Sequence, residues 1–377
     1  MLLIVSVISA GWVPQTLRYQ SEQDLSLQTP LPMVATLNAD HTNATVKLFG
    51  CIPISTTAVE MVSAPTLTLG GQPFGIKILS KGVLVVGIAS VETPKGEVCP
   101  GKEGGLLVGD VILAVNDTPI STNQALSQMV TQTKGAPLTL SVERKGTAKT
   151  LTLQPVTSSE GIPRIGIWVR DSTAGLGTLT FYHPQSGVYG GLGHGVCDND
   201  TGELMPLSTG EIVKAKLSGI EKGTAGKPGQ LYGGLLSNAS LGSITKNCSC
   251  GVYGTLTTPL SGESLPLGYK QEVQTGEALL YSSVSGSLVG YTCQIEKISL
   301  KESTTQNLII RITDPDLLAL TGGIVQGMSG SPLVQNGKLI GAVTHVFVNQ
   351  PTRGYGVFAE TMWETASSQI SQLQNAS

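Results

Sequence analysis

Apolar and polar residues alternate in short runs along most of this chain, and turn residues separate the runs. Ala44-Thr45-Val46-Lys47-Leu48-Phe49 and Ala58-Val59-Glu60-Met61-Val62 flank the turn signal Gly50-Cys51-Ile52-Pro53. Gly82-Val83-Leu84-Val85-Val86-Gly87 reads as a buried strand, and two further strands follow at Pro137 to Glu143 and Thr147 to Leu153. Strand-like runs continue at Gly175 to Tyr182, Gly187 to Gly195, Glu211 to Leu217, Gly251 to Thr258, Glu272 to Leu280, Ser283 to Tyr291 and Leu308 to Ile312. A helical period shows in two places. One is a short segment with Ala125, Leu126 and Met129 on one side; the other is the tail from Phe358 to Gln374, with Ala359, Met362, Ala366, Ile370 and Leu373 on one side. Helices do not alternate with strands, so the fold is mostly β, with a barrel or paired barrels in the second half.

Composition agrees with short strands and many turns: there are 47 glycines, and only 13% of residues are charged. At 377 residues the chain holds two domains, on a scale of roughly 100–200 residues each. A net charge of −3, with no basic stripe, gives no footprint for nucleic acid. Residues 1–33 divide into about 13 largely apolar residues and a polar stretch rich in Gln and Ser. They read as an export signal or membrane anchor followed by a linker, and residues 34–65 as a small β segment. The six cysteines are an even number but too scattered to form a disulfide framework, and Cys248-Ser249-Cys250 is too tight for an easy mutual bridge. No cofactor and no metal site is expected.

Residues 66–157 contain Phe74-Gly75-Ile76-Lys77-Ile78, a glycine between apolar residues at the head of a strand, and the segment Leu106-Leu107-Val108-Gly109-Asp110-Val111-Ile112-Leu113-Ala114-Val115-Asn116. This unit resembles a PDZ domain in the permuted form found in bacterial proteases. The resemblance implies that an extended peptide adds as a strand at Phe74, Gly75 and Ile76.

Residues 158–377 carry the candidate chemistry. In Gly327-Met328-Ser329-Gly330-Ser331-Pro332 a serine stands between glycines ahead of a hairpin whose turn is Asn336-Gly337. A serine hydroxyl needs exposure, a base and an orienting group before it attacks a carbonyl. The glycines allow close approach, and the amides of Gly327 and Ser329 are placed to form an oxyanion hole. Of four histidines, His194 in Gly193-His194-Gly195 is the candidate base; His345 ends the strand after the hairpin, and His41 and His183 read as surface residues. Asp314, fifteen residues before Ser329, is the candidate orienting acid, with Asp198 and Asp316 as competitors.

Three longer stretches make the reading specific: Gly191-Leu192-Gly193-His194-Gly195, then Glu221 to Gly229, then Gly322-Gly323-Ile324-Val325-Gln326-Gly327-Met328-Ser329-Gly330-Ser331-Pro332 continuing to Gly341-Ala342-Val343-Thr344-His345. With them the chain resembles the stage IV sporulation protein B serine peptidases. The resemblance implies a chymotrypsin-like β-barrel peptidase domain with His194, Asp314 and Ser329 as its triad. It also implies export from the forespore, action in the space between the forespore membranes after initial membrane anchoring, self-cleavage in the N-terminal region, and cutting of a regulator of a membrane-embedded protease. Two other readings are weighed: a non-catalytic PDZ adaptor on an inactive protease fold, and a carboxypeptidase-like processing enzyme. The latter pairs its serine with a lysine, which has no counterpart motif here.

Overall fold

The computed structural model describes residues 13–19, 27, 31–39, 41–300 and 305–376; the apolar run of residues 1–12 lies outside them. The first sheet contains β1 (Thr16–Tyr19), β2 (Met33–Leu37), β3 (Asn43–Leu48) and β4 (Ile52–Met61), in the order β1-β4-β3-β2. In β3, Ala44, Val46 and Leu48 turn inward while Asn43, Thr45 and Lys47 are partly exposed, which is the two-residue period of a half-buried strand. The stretch expected to be a polar linker also contributes a strand. Leu17 and Tyr19 are buried, so β1 joins the sheet parallel to β4. The Gln- and Ser-rich composition around it hides this short alternation. Arg18 of β1 pairs with Glu60, and with Glu360 and Glu364 of the C-terminal helix, tying the first sheet to the end of the chain.

β5 (Thr66–Leu69) leads into β6 (Pro73–Ile88), a strand of 16 residues and so about 50 Å long. Its second half belongs to a small PDZ-type unit with the β7–β8 hairpin (Val91–Thr93, Gly96–Val98), helix α1 (Pro100–Glu103), β9 (Val111–Val115), β10 (Thr118–Pro119), helix α2 (Asn123–Gln132), β11 (Leu138–Arg144) and β12 (Thr147–Leu153). Val83, Val85, Leu106, Ile112, Leu126, Val130 and Leu140 fill its core. The Gly-Asp of the signature segment has a structural cause here. Asp110 is fully buried and accepts two bonds from Arg144, at 2.6 and 2.8 Å, and one from the Leu107 amide at 2.9 Å. A buried carboxylate is tolerated only with such partners.

After the short β13–β14 pair (Val156–Thr157, Pro163–Arg164) comes β15 (Ile167–Tyr182), which runs antiparallel along nearly the whole of β6. Its far end continues the same sheet through β16 (Val188–Gly191), β20 (Gly251–Thr255) and β19 (Lys246–Cys248). The long hairpin β17 (Leu207–Glu221) and β18 (Gln230–Ile244) pairs with the first half of β6, and β21 (Ser264–Pro266) pairs with β5. The remaining strands, β22 (Gly276–Ser282), β23 (Val289–Ile298), β24 (Leu308–Ile312), β25 (Pro332–Gln335), β26 (Lys338–Phe347) and β27 (Gln350–Phe358), close into a barrel in the order β22-β23-β24-β27-β26-β25. Helix α3 (Pro315–Thr321) interrupts it, and α4 (Ala359–Ala376) ends the chain. The fold is mostly β, with a PDZ domain and a barrel-containing peptidase domain.

One expectation is corrected by this topology. Phe74, Gly75 and Ile76 cannot receive a peptide as an added strand, because β15 pairs with one edge of that segment and β17 with the other. Phe74 and Ile76 are core residues, and a Cβ on Gly75 would fall 2.4 Å from Leu235 and 2.8 Å from Val213. The glycine there serves sheet packing.

Candidate active site

The segment from Gly322 to Ser331 links α3 to β25, and its course depends on glycine. Gly322, Gly323, Gly327 and Gly330 all have positive φ, a region that costs other residues steric strain. A Cβ on Gly330 would also lie 2.0 Å from the Thr178 carbonyl. Neighbouring strands pin the segment from two sides. Thr178 of β15 donates its amide to the Ser329 carbonyl at 2.9 Å and its hydroxyl to the Gly327 carbonyl at 2.8 Å, and the Thr180 hydroxyl donates to Gly330 at 2.8 Å. From the tip of the β17–β18 hairpin, the Leu231 amide reaches the Gln326 carbonyl at 2.9 Å, while the Gln326 amide reaches Gly229 at 2.8 Å. The second of the three sequence stretches, Glu221 to Gly229, is thus the brace of the serine loop.

Within the loop, the amides of Met328, Gly330 and Ser331 are taken by the carbonyls of Val325, Val343 and Met328. Those of Gly327 and Ser329 meet no backbone carbonyl among the described residues. Two uncommitted amides flanking one residue are the donor arrangement that stabilises an oxyanion.

His194 arrives on the loop after β16. Leu192 and Gly193 both have positive φ, 66° and 69°, and Gly193 packs so closely on Thr344, Val357 and the Val343 carbonyl that a Cβ there would sit 3.0 Å from the Thr344 methyl. That contact lays His194 beside the end of β26, where the His345 ring lies 4.6 Å away, centroid to centroid, at 35°. Nδ1 of His194 is 2.8 Å from the Gly195 carbonyl. A carbonyl only accepts, so Nδ1 carries the proton and Nε2 keeps its lone pair. The Ser329 hydroxyl donates to the Thr344 carbonyl at 2.6 Å, one residue from His345. Ser329, His194 and His345 thus converge on one corner, although no hydrogen bond joins Ser329 to His194 among the described residues.

Burial first, with the charge of His345 adding to it and the Gly195 carbonyl opposing, pulls the His194 pKa down to about 4. The consequence for stability has a definite sign. The unfolded chain takes up this proton near pH 6.5 and the folded one only near 4, so the unfolded state binds more protons between those values and stability falls as pH drops through that window. Up to about 3 kcal/mol is at stake. Urea unfolding of the wild type is expected to lose that much more than His194→Gln between pH 7 and 4; equal losses would mean the ring is not protected from protonation.

The candidate acids are placed elsewhere. Asp314 is the N-cap of α3: one oxygen accepts from the amides of Asp316 and Leu317, both at 3.0 Å, and the other from Thr292 at 3.2 Å. It does not meet His194, so the acid–base pair expected from the sequence is not formed here. The local signal was present, since Asp before Pro ahead of an apolar run is a helix start. Asp198 is buried and binds the Asp200 and Thr201 amides and the Arg170 guanidinium, as a turn-former does. His183 bonds Ser186 and packs on Trp363.

The PDZ-type unit has a groove of about 580 Å³ between α2 and residues 162–169, lined by Leu126, Ser127, Val130, Ile165 and Ile167. Over Ile167 to Gly177, β15 pairs among the described residues with β6 on one edge only, which leaves its other edge open to them beside the exposed Trp168. Arg164-Ile165-Gly166-Ile167 repeats the pattern of a glycine between apolar residues, and it is this copy, missed in the sequence reading, that borders a groove.

Comparison with known proteins gives two family matches: the model for SpoIVB peptidase S55 covers residues 161–363, more than half of the chain, and a PDZ domain model covers residues 97–144. A search of curated proteins finds no match. Among solved structures, the chain is similar to the PDZ domain of an SdrC-like protein from Listeria monocytogenes, with 16% identity over 24% of this chain and 87% of that one and a TM-score of 0.19.

Proposed function

The chain belongs to the SpoIVB peptidase S55 family, and we propose that it is an exported serine endopeptidase with Ser329 as nucleophile, His194 as general base, and the amides of Gly327 and Ser329 as oxyanion hole. The observation that carries this reading is the convergence of Ser329, through its bond to the Thr344 carbonyl, with His194, whose Nδ1–H rests on Gly195. Turning the Ser329 side chain from that carbonyl toward Nε2 gives attack on a peptide carbonyl with the hydroxyl proton passing to His194. The imidazolium then protonates the leaving amine, and a water repeats the sequence to release the acyl group.

The proposal includes the role that the resemblance implies: anchoring at the forespore inner membrane, self-cleavage in the N-terminal region, and cutting of a regulator of a membrane-embedded protease between the forespore membranes. The open edge of β15 beside α2 is where an extended segment of the protein substrate adds as a strand. Intact-mass measurement of the purified protein over time, against Ser329→Ala, tests the reading. N-terminal shortening confined to the wild type supports it.

The alternative of a non-catalytic PDZ adaptor draws on one fact, the bond of the Ser329 hydroxyl to Thr344 in place of His194. A fluorophosphonate that never labels Ser329 would favour the adaptor. The third member of the triad has its own test. Asp314→Asn retains a capping oxygen while losing the charge, and the rate is expected to stay within about tenfold. A loss near 10⁴-fold, the size seen when a triad acid is made neutral, would show that the carboxylate reaches His194 in the working enzyme.

A further inference from the structure

Cys248-Ser249-Cys250 forms the turn between β19 and β20, behind the loop that carries His194. We propose that Cys248 and Cys250 are a dithiol that a hydroperoxide oxidises to a disulfide within the turn, and that closing this bond displaces the His194 loop. The two sulfurs are already 3.4 Å apart, so the tight spacing that argues against a bridge in the sequence is offset by how the turn aims both side chains. Cys250 lies among hydroxyls: that of Tyr253 is shared between the Cys250 carbonyl at 2.9 Å and its sulfur at 3.3 Å, and that of Thr365 of α4 stands 3.2 Å from the sulfur. The Cys248 thiol beside it first, then the hydroxyls of Thr365 and Tyr253, hold the Cys250 pKa below the usual thiol value against burial. A stabilised thiolate beside a second thiol is the arrangement that peroxides oxidise to a disulfide.

The chemistry balances with the hydroperoxide as the only co-reactant. The Cys250 thiolate attacks one peroxide oxygen, the O–O bond breaks, and the displaced alkoxide or hydroxide takes a proton, leaving a sulfenic acid. Cys248 sulfur then attacks the sulfenic sulfur; the S–S bond forms, the S–O bond breaks, and water leaves with the thiol proton. The dithiol gives up two electrons, and the peroxide bond accepts them.

The coupling to His194 is in the packing. A disulfide draws its sulfurs to about 2.05 Å, which requires movement of the turn. The Cys248 carbonyl abuts Gly195, where an added Cβ would lie 2.9 Å from it. The preceding residue, Asn247, grips the same loop: its side chain accepts from the Val196 amide at 2.8 Å and donates to the Val196 and Met205 carbonyls at 2.9 and 3.0 Å. Gly195 in turn supplies the carbonyl that fixes the His194 tautomer. A shift of Cys248 therefore passes through two contacts to the ring.

The test treats the full chain with hydrogen peroxide and reads three signals. Non-reducing peptide mapping is expected to show the segment containing Cys248 and Cys250 lighter by two hydrogens. Hydrogen exchange at the Val196 amide is expected to quicken, and fluorophosphonate labelling of Ser329 to fall and return with dithiothreitol. Cys250→Ser is expected to keep its labelling under peroxide, and Cys248→Ser to stop at a sulfenic acid that dimedone traps. Oxidation confined to the exposed Cys197, or a disulfide formed with Val196 exchange unchanged, would overturn the proposal. Only the labelling signal rests on Ser329 and His194 being catalytic. If Ser329 never labels, that reading fails, while mapping and exchange still decide for or against the dithiol.

Discussion

Ser329→Ala is expected to lower peptide cleavage by about 10⁶-fold, the loss found when the nucleophile of a serine–histidine unit is removed, and to stop N-terminal shortening altogether. Folding should survive, because the loop is fixed by backbone and by its neighbours. Thr178 and Thr180 hold the carbonyls of Ser329, Gly327 and Gly330, and Leu231 holds Gln326. The side chain itself makes one bond, to the Thr344 carbonyl, whose loss costs about 1 kcal/mol. Ser331 is the informative control. Its hydroxyl is buried without a partner among the described residues, so Ser331→Ala removes an unsatisfied group and should be neutral or slightly stabilising. Circular dichroism, urea midpoints and cleavage rates of the two variants check this together. A Ser331→Ala that loses activity while Ser329→Ala keeps it would move the nucleophile.

Much of the architecture was legible because each signal was local. The alternation in β3 and the Gly-Asp segment of the PDZ unit each fix their own surroundings, as the buried Asp110–Arg144 pair shows. The serine loop was legible for the same reason: its glycines need the backbone they occupy. What could not be read was pairing between distant segments. Phe74-Gly75-Ile76 has the pattern of a peptide-receiving strand, but whether such a strand is open depends on β15 and β17, which begin far later in the chain, at Ile167 and Leu207. Asp314 shows the same limit on a smaller scale. Its chain order suits a triad, yet the Pro315 helix start claims one of its oxygens and the Thr292 amide the other. The contact between Cys248 and Gly195 joins loops whose sequence separation gives no hint of it.

His194→Ala is expected to cost about as much as the loss of Ser329, and the double variant no more than either alone, because nucleophile and base act as one unit. Additive losses would mean that His194 works elsewhere. The pH profile then tells how the ring is held. In free enzyme, the acid limb of kcat/KM reports the pKa of the base. With its Nδ1–H on a neutral carbonyl and its ring buried against His345, His194 protonates only near pH 4, so the limb is expected there, well below 6.5. His345→Ala removes the neighbouring charge that helps depress this value and opens the site to water, so the limb should move upward in that variant. A carboxylate beside the ring would have the opposite effect on the wild type, since a negative neighbour favours the imidazolium. A wild-type limb near 7 that falls in Asp314→Asn would therefore place Asp314 against His194 during turnover. A limb near 4, unchanged by Asp314→Asn, leaves the Gly195 carbonyl as the group that orients the base.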